Sequence, residues 1–258
     1  MKRIAIVGNC QAQRIGQYIS EMNDDCLCEF MSATPLVAPV PSEAEAAKIL
    51  QSSDLLVLQP LGIKHAYLSE QALRAQFDPS KIISFAYFFN SGYAEMILVP
   101  SKGLVFGEEY VVNLLKSGES PEQIRDKYRE GEIDFGLIER FEHCMQEMEK
   151  KEDSCNIRMV DYIRSAYQHE RLFLTQNHPT IPVFVEYLRQ IEALGHIRWK
   201  KSYDMMSDTG MSQSTSPISP MCKKILGYRF DVDARWYELG IKLLNHIIAR
   251  FQAQQQTV

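Results

Sequence analysis

Two short segments hold residue types able to do covalent chemistry. The first is Gly8-Asn9-Cys10-Gln11, directly after a short apolar run. From Gln11 onward the spacing turns helical, which places the Cys10 thiol just before or within the first turn of a helix. Unpaired backbone N–H groups and the helix dipole favour negative charge there. Such a position can bring a thiol pKa from about 8.5 down to roughly 3.5 to 7.5 and make it a nucleophile. The same N–H groups, with the Asn9 and Gln11 amides, would stabilise an oxyanion on an acyl carbonyl. The plain alternative is a small cysteine filling a tight strand-to-helix turn.

A nucleophilic thiol needs a base, most often histidine. The second segment, Thr175-Gln176-Asn177-His178-Pro179-Thr180, is a polar loop after the apolar Leu172-Phe173-Leu174. Pro179 restrains His178 to extended backbone, so the ring belongs to a fixed loop and not to a packed stripe. His143 and His169 lie in charged helical surroundings, His196 follows a glycine after a helix, and His246 sits in the last helix. Those four read as solvated or structural. His65, shortly after Gln59-Pro60, is the reserve candidate.

The elements that must position these groups follow from periodicity. Lys2 to Val7, Leu27 to Met31, Asp54 to Leu58 and Lys81 to Phe88 read as strands. Ile15, Tyr18, Ile19 and Met22 mark a helix after the first strand. Ser42-Glu43-Ala44-Glu45 is a capping box opening a second, and Ser69 to Phe77 holds a third. Leu55-Leu56-Val57-Leu58 is continuously apolar, as a parallel strand buried on both faces should be. Strand and helix alternating over about ninety residues imply right-handed crossovers and a parallel sheet. In such a sheet ligands bind at the carboxyl ends of the strands. Three polar segments fall there: Gly8 to Gln11, Gln59 to Gly62, and Tyr87 to Tyr93, which contains Asn90.

The second half reads as mostly helical. Ser120-Pro121-Glu122-Gln123 is an N-cap with a proline in the first turn. Ile138, Phe141, Met145 and Met148 form one core stripe; Met159, Val160, Ile163 and Tyr167 form another. Tyr237, Ile241, Leu244, Ile248 and Phe251 line the last helix, and a further helix starts near Thr180 with Pro182 in its first turn. Ser202 to Met221 lacks periodicity and reads as a mobile lid or a disordered excursion, and Gln252 to Val258 as a frayed tail. The fold class is therefore α/β, a Rossmann-like three-layer parallel sheet with a largely helical C-terminal half. The expected organisation is a single α/β domain over 1–258, with the sheet core in 1–100 and 101–258 completing the site.

Composition excludes several classes. With a formal charge of −5 over 258 residues, bulk-charge binding of nucleic acid is not expected. No window approaches the roughly 18 apolar residues of a membrane span, and the run from Ile4 to Val7 is too short for an export signal. The cysteines at 10, 26, 28, 144, 155 and 222 form no Cys-x-x-Cys pair. They read as reduced thiols of a cytoplasmic protein, and no metal is expected. The next glycine after Gly8 is Gly16, so neither a dinucleotide fingerprint nor a phosphate-binding P-loop is present.

Gly8-Asn9-Cys10-Gln11 after the first strand, Leu58-Gln59-Pro60, the Phe-rich Tyr87 to Tyr93 segment and Asn177-His178-Pro179, in this order and spacing, resemble the capsular polysaccharide-biosynthesis family of WcbI type. The resemblance covers most of the chain. It implies a fold distantly related to the SGNH hydrolases and a coenzyme A-dependent acetyltransferase that takes acetyl-CoA and modifies a sugar hydroxyl of a capsule or surface glycan. By position it gives Cys10 the nucleophile place, His178 the base place, and Gln59 or Asn90 an oxyanion-donor place, with Asn177 beside the base. The chain lacks the serine nucleophile and the Asp-x-x-His pair of the hydrolases, which leaves the third triad member open. Two mechanisms fit: transfer through an acetyl-Cys10, or direct attack by a hydroxyl that His178 activates. Coenzyme A phosphates need basic groups, and Lys200 and Lys201, in a run from Arg198 to Arg229 where basic residues outnumber acidic ones, are the expected contacts; the bland reading is a solvated face. A homo-oligomer, or association with polysaccharide-assembly machinery, is compatible with this reading. The rivals are an esterase or thioesterase using Cys10, and a non-catalytic glycan-binding component that stacks sugars on Tyr87, Phe88, Phe89 and Tyr93.

Overall fold

The computed structural model describes residues 1–99, 103–207, 215–232 and 234–255. Among these, six strands and ten α-helices alternate in chain order. They are β1 (Lys2–Gly8), α1 (Cys10–Met22), β2 (Cys26–Ser32), α2 (Glu43–Gln51), β3 (Leu55–Leu58), α3 (Glu70–Gln76), β4 (Ile82–Ser84), β5 (Ile97–Val99), β6 (Leu104–Phe106) and α4 (Glu108–Lys116). There follow α5 (Pro121–Glu130), α6 (Leu137–Glu152), α7 (Val160–Ala166), α8 (Ile181–Gly195), α9 (Pro220–Leu226) and α10 (Ala234–Gln255). The α/β class expected from periodicity is the class observed. The chain divides into two compact units that interleave in sequence: Met1–Phe88, Glu147–Arg164 and Ile181–Asp208 make the first; Phe89–Gln146, Ser165–Thr180 and Thr209–Val258 make the second.

The first unit is the parallel sheet, in the order β2-β1-β3-β4. All three pairings are parallel, with Val7 opposite Met31 and Leu58 and Leu58 opposite Ser84. Side chains alternate across the pleat. Ala5, Val7, Leu56 and Leu58 pack with Ala46 and Leu50 of α2 and Leu73 of α3. On the other face Ile6 lies against Gly16 of α1, and Leu55 and Ile83 lie against Gly195 of α8. The two helices of that face meet through Tyr18 and Phe184, ring centroids 5.3 Å apart. Helices thus cover both faces, which is why β1 and β3 read as unbroken apolar runs.

The sequence reading carries the fourth strand to Phe88, but β4 ends at Ser84. The cause is its neighbour. The last ladder bond runs from Phe85 N to Leu58 O at 3.0 Å, and β3 stops there before Pro60. The outer edge of β4 is covered by Asn156 and Ile157, whose N–H groups both donate to Ser84 O at 3.0 Å. Asn156 Oδ1 in turn accepts from Ser84 N at 2.9 Å, so a side-chain amide closes an edge that would otherwise invite strand pairing.

The second unit carries the antiparallel hairpin β5–β6, unforeseen in the sequence, with α4, α5 and α10. Its core is aromatic. Tyr93 meets Phe173 and Tyr228 at 5.2 Å each, and Tyr128 stacks on Tyr237 at 5.8 Å. Glu95 is fully buried there, accepting from Tyr128 Oη at 2.8 Å and Ser219 N at 3.0 Å, and burial pushes its carboxyl up. Part of the expected lid is therefore core: Ser216, Pro217, Ile218 and Ser219 are buried, and Ser219 caps α9. The residues 208–214 of that stretch, and 256–258 of the expected frayed tail, lie outside the described residues; α10 itself continues to Gln255. In the methionine stripe Phe141, Met145 and Met148 are buried as expected, while Ile138 is exposed.

One glycine fixes how the segment after Phe88 packs. A Cβ on Gly92 would lie 2.1 Å from Phe141 N and 2.5 Å from the Arg140 carbonyl carbon, both backbone atoms of α6. Neither can swing aside as a side-chain tip would. Gly92→Ala should therefore cost about 3 kcal/mol or more, read as a lowered denaturation midpoint; a midpoint equal to wild type would disprove the close approach.

Candidate active site

The strand order reverses between β1 and β3, since the chain leaves β1 towards β2 and returns past it to β3. In open α/β sheets the ligand crevice lies outside the carboxyl ends of the strands at this switch point. Gly8, Asn9 and Cys10 follow β1 and Gln59 follows β3, so both ends carry polar residues.

These residues are tied to one another. Asn9 is the N-cap of α1, and its Oδ1 accepts from Gln11 N at 3.0 Å. Gln59 Oε1 accepts from Asn9 N at 3.0 Å across the two strand ends. Gly8 leaves room for that contact: a Cβ there would sit 2.6 Å from Gln59 Oε1 and 2.7 Å from Ala12 Cβ. Gln11 is fully buried and spans to the chain beyond β4, its Nε2 donating to Phe88 O at 2.8 Å and its Oε1 accepting from Phe88 N at 3.0 Å. Both ends of that amide are engaged on backbone, where the sequence reading has it facing an acyl oxygen.

Cys10 is half-buried at the first position of α1. The sequence reading has the helix start lowering its pKa. The structure reverses the balance: burial pushes the thiol above its ordinary value, and the N–H groups of Gln11 and of Cys10 itself recover only part of that. The resting group is a thiol and not a thiolate. All six cysteines are free.

Asn90, Asn177 and His178 lie in the second unit. Phe173 and Pro179 bridge as a short antiparallel pair, and Leu174 N donates to His178 O at 2.8 Å, closing a loop over 175–177. Asn90 N donates to Gln176 O at 2.7 Å, and Ser216 N donates to Leu174 O at 2.6 Å, so the loop is pinned from both sides. Asn90 is completely buried; its Oδ1 accepts from Gly92 N at 2.8 Å, while its Nδ2 has no partner among the described residues. Asn177 Oδ1 accepts from Thr175 Oγ1 at 3.4 Å. Burial lowers the pKa of His178 below the ordinary imidazole value, and its Nδ1 is buried with no partner among the described residues. The ring is neutral at neutral pH.

Arg171 does the pinning. Its Nε donates to Phe173 O at 3.1 Å, its Nη2 to Thr215 Oγ1 at 2.6 Å and to Ser216 O at 3.1 Å, and its guanidinium lies 3.5 Å from the Trp236 ring centre. Sequence reasoning passed over Arg171, Gln176 and Ser216. Gln176 was within the polar loop already singled out; Ser216 was hidden in a stretch whose composition reads as mobile.

Several expectations do not reach these groups. Lys200 N and Lys201 N both donate to Met22 O, at the opposite end of α1 from Cys10. That is about 18 Å along a helix of this length. Their ammonium groups pair with Asp25 at 2.5 Å and Asp24 at 3.2 Å. Phe88 and Tyr93 are buried core residues, so neither offers a face for sugar stacking. His65 is half-buried in a short turn over Ile63–Leu68. Among the described residues no group of His, Cys, Asp or Glu could hold a metal ion, and no helix is long and apolar enough to cross a membrane.

A parallel sheet with helices on both faces, and a cysteine at the reversal of its strand order, define an α/β protein with its candidate site at the strand ends. The chain belongs to the polysaccharide biosynthesis enzyme WcbI family, whose model matches residues 3–197. It is similar over 99% of its length to a solved structure of WcbI, covering 96% of that chain, with a TM-score of 0.66 and 16% identity. That structure is described as a novel polysaccharide biosynthesis enzyme, native and without a disulfide bond between coenzyme A and one of its cysteines. A search of curated proteins finds no match.

Two outcomes follow from the geometry. Gln11→Ala removes two buried hydrogen bonds from the Phe88 backbone, a loss of about 2–4 kcal/mol measured by chemical denaturation; a loss under about 0.5 kcal/mol would show that the amide does not hold this turn. Alkylation of Cys10 by iodoacetamide, followed on its own peptide by mass spectrometry, should be slower at pH 7 than for a free cysteine and still be rising above pH 9. A plateau reached below pH 7 would contradict the raised pKa.

Proposed function

We propose that this enzyme of polysaccharide biosynthesis is a coenzyme A-dependent O-acetyltransferase that moves acetyl from acetyl-CoA to a sugar hydroxyl. The observation that carries the reading is Cys10 at the switch point of the sheet, in the turn that Asn9 caps and Gln59 ties to the end of β3. The similar structure is of a protein described with a cysteine and coenzyme A in view; here Cys10 is the cysteine at the carboxyl ends of the strands, and we assign it to the thioester. The order of the Gly-Asn-Cys-Gln and Asn-His-Pro segments supports the same reading.

Of the two mechanisms, the electrostatics favour direct transfer. Burial keeps Cys10 protonated, which makes it a poor resident nucleophile. Burial also keeps His178 neutral, the form that accepts a proton. In this mechanism the His178 imidazole takes the proton of the acceptor hydroxyl as its oxygen bonds to the thioester carbonyl carbon. The C–S bond then breaks, and the leaving thiolate takes the proton back from the imidazolium. Gln59 and Asn90 are assigned to the carbonyl oxygen or the substrate through their Nε2 and Nδ2 donors. Asn177 is assigned to substrate binding beside the base. Asn9 and Gln11 hold the turn that presents Cys10. A cytoplasmic enzyme, where acetyl-CoA is available, fits this scheme.

Calorimetric titration should give binding of coenzyme A and acetyl-CoA and none of unrelated nucleotides; no binding of either removes the reading. With an acceptor in hand, His178→Ala should lower kcat by about 10²–10⁴-fold. The acid limb of kcat/KM should fall below pH 6.5, because the neutral ring persists to lower pH than in a free histidine. Cys10→Ser should retain turnover within about tenfold, with no acetyl-cysteine on rapid quench; a trapped acetyl-Cys10 would replace direct transfer by the covalent route.

A further inference from the structure

Buried polar atoms in folded proteins are nearly always hydrogen-bonded, so each exception needs a reason. In the second unit four exceptions fall on the segments around one loop. Asn90 Nδ2, Gln176 Oε1, His178 Nδ1 and Ser216 Oγ are all buried without a partner among the described residues. Three of their residues are at least nine-tenths buried: Asn90 at 0%, Ser216 at 5% and Gln176 at 9% exposure. The segments are bonded to each other through Asn90 N to Gln176 O, Leu174 N to His178 O and Ser216 N to Leu174 O. Arg171 fixes them from behind by holding Phe173 O, Ser216 O and Thr215 Oγ1.

The chemistry of the four atoms is mixed. Asn90 Nδ2 only donates, Gln176 Oε1 only accepts, and Ser216 Oγ and a neutral His178 Nδ1 can do either. A phosphate or carboxylate would set its lone pairs against Gln176 Oε1, and an ammonium would set its protons against Asn90 Nδ2. A hydroxyl, donor and acceptor at once, suits every member. Among the four no residue carries a fixed charge that would have to be desolvated.

We propose that Asn90, Gln176, His178 and Ser216 form a subsite for an uncharged, multiply hydroxylated compound, the acceptor of the transfer, with Gln176 and Ser216 as its specificity-determining residues. The proposal takes the word acceptor from the acetyltransferase reading; the subsite itself stands on the unpaired atoms alone. Arg171 is assigned as a positioning residue, since its Nε and Nη2 donate to Phe173 O, Ser216 O and Thr215 Oγ1.

Saturation-transfer NMR on the full chain, without coenzyme A, tests the subsite directly. The probes are methyl α-D-glucoside, N-acetylglucosamine and glycerol, with inorganic phosphate as the contrast. A signal from at least one hydroxylated probe and none from phosphate is expected. Ser216→Ala and Gln176→Leu should weaken it about tenfold, the scale of one lost hydrogen bond, while Ser216→Thr, which keeps the hydroxyl, should restore it. Matched circular dichroism of Ser216→Ala and Ser216→Thr separates contact loss from misfolding. No probe signal, a phosphate signal of equal strength, or variants that bind as wild type would overturn the proposal. A crystal structure with all four atoms satisfied by waters that no probe displaces would do the same. Failure of coenzyme A to bind while the sugar signal persists would remove the acetyltransferase reading and leave the subsite standing.

Discussion

The interaction on which the first unit's site depends is the pair of hydrogen bonds between the Gln11 side chain and the Phe88 backbone. β3 ends at Leu58, so the chain beyond Ser84 loses its neighbouring strand while remaining buried. Backbone N–H and C=O groups in that position must still be paired. A primary amide carries one donor end and one acceptor end at the spacing of a peptide, and Gln11 uses both to replace the missing strand. Asn156 at the outer edge of β4 and Gln59 at the turn after β1 use their amide oxygens in the same way, each accepting from a backbone N–H. The rim of the sheet is built from side-chain amides standing in for backbone.

That substitution explains why this end of the sheet is polar without being charged. Asn9, Gln11, Gln59 and Asn156 supply dipoles fixed by their own hydrogen bonds, and dipoles that need no reorganisation are what stabilise developing charge. It also separates structural amides from available ones. Gln11 and Asn156 are consumed at both ends or by several partners. Asn90 spends only its oxygen, on Gly92 N. Its Nδ2 has no partner among the described residues.

The sequence discloses the layer structure because the signals are local. Continuous apolar strands, capping boxes at Ser42 and Ser120 and a proline at the start of α5 each act within one element, and each is found as expected. The position of Cys10 at a helix start and of His178 in a loop were legible for the same reason. Roles set by distant partners were not. Gln11 meets Phe88 across 77 positions of sequence, and nothing near Gln11 announces it. Ser216 sits in a Ser- and Thr-rich stretch, yet Arg171 and Leu174 hold its backbone in place. Lys200 and Lys201 pair with Asp25 and Asp24 beyond the end of α1, and a run of basic residues does not announce those partners.

The sign of the two pKa shifts shows how the surroundings of the reactive groups were built. A helix start lowers a thiol pKa only where its field exceeds the cost of taking the charge out of water. At Cys10 two N–H contacts are outweighed by burial. At His178 burial acts alone and in the opposite sense, because the charged form is the protonated one. Both shifts move the resting group towards neutrality, so neither unit holds a standing charge at its candidate residue. Fixed amide dipoles beside an uncharged residue are suited to meeting charge that develops only as bonds change. A preformed thiolate would have called for a basic neighbour beside Cys10; among the described residues the groups that lower its pKa are backbone N–H donors.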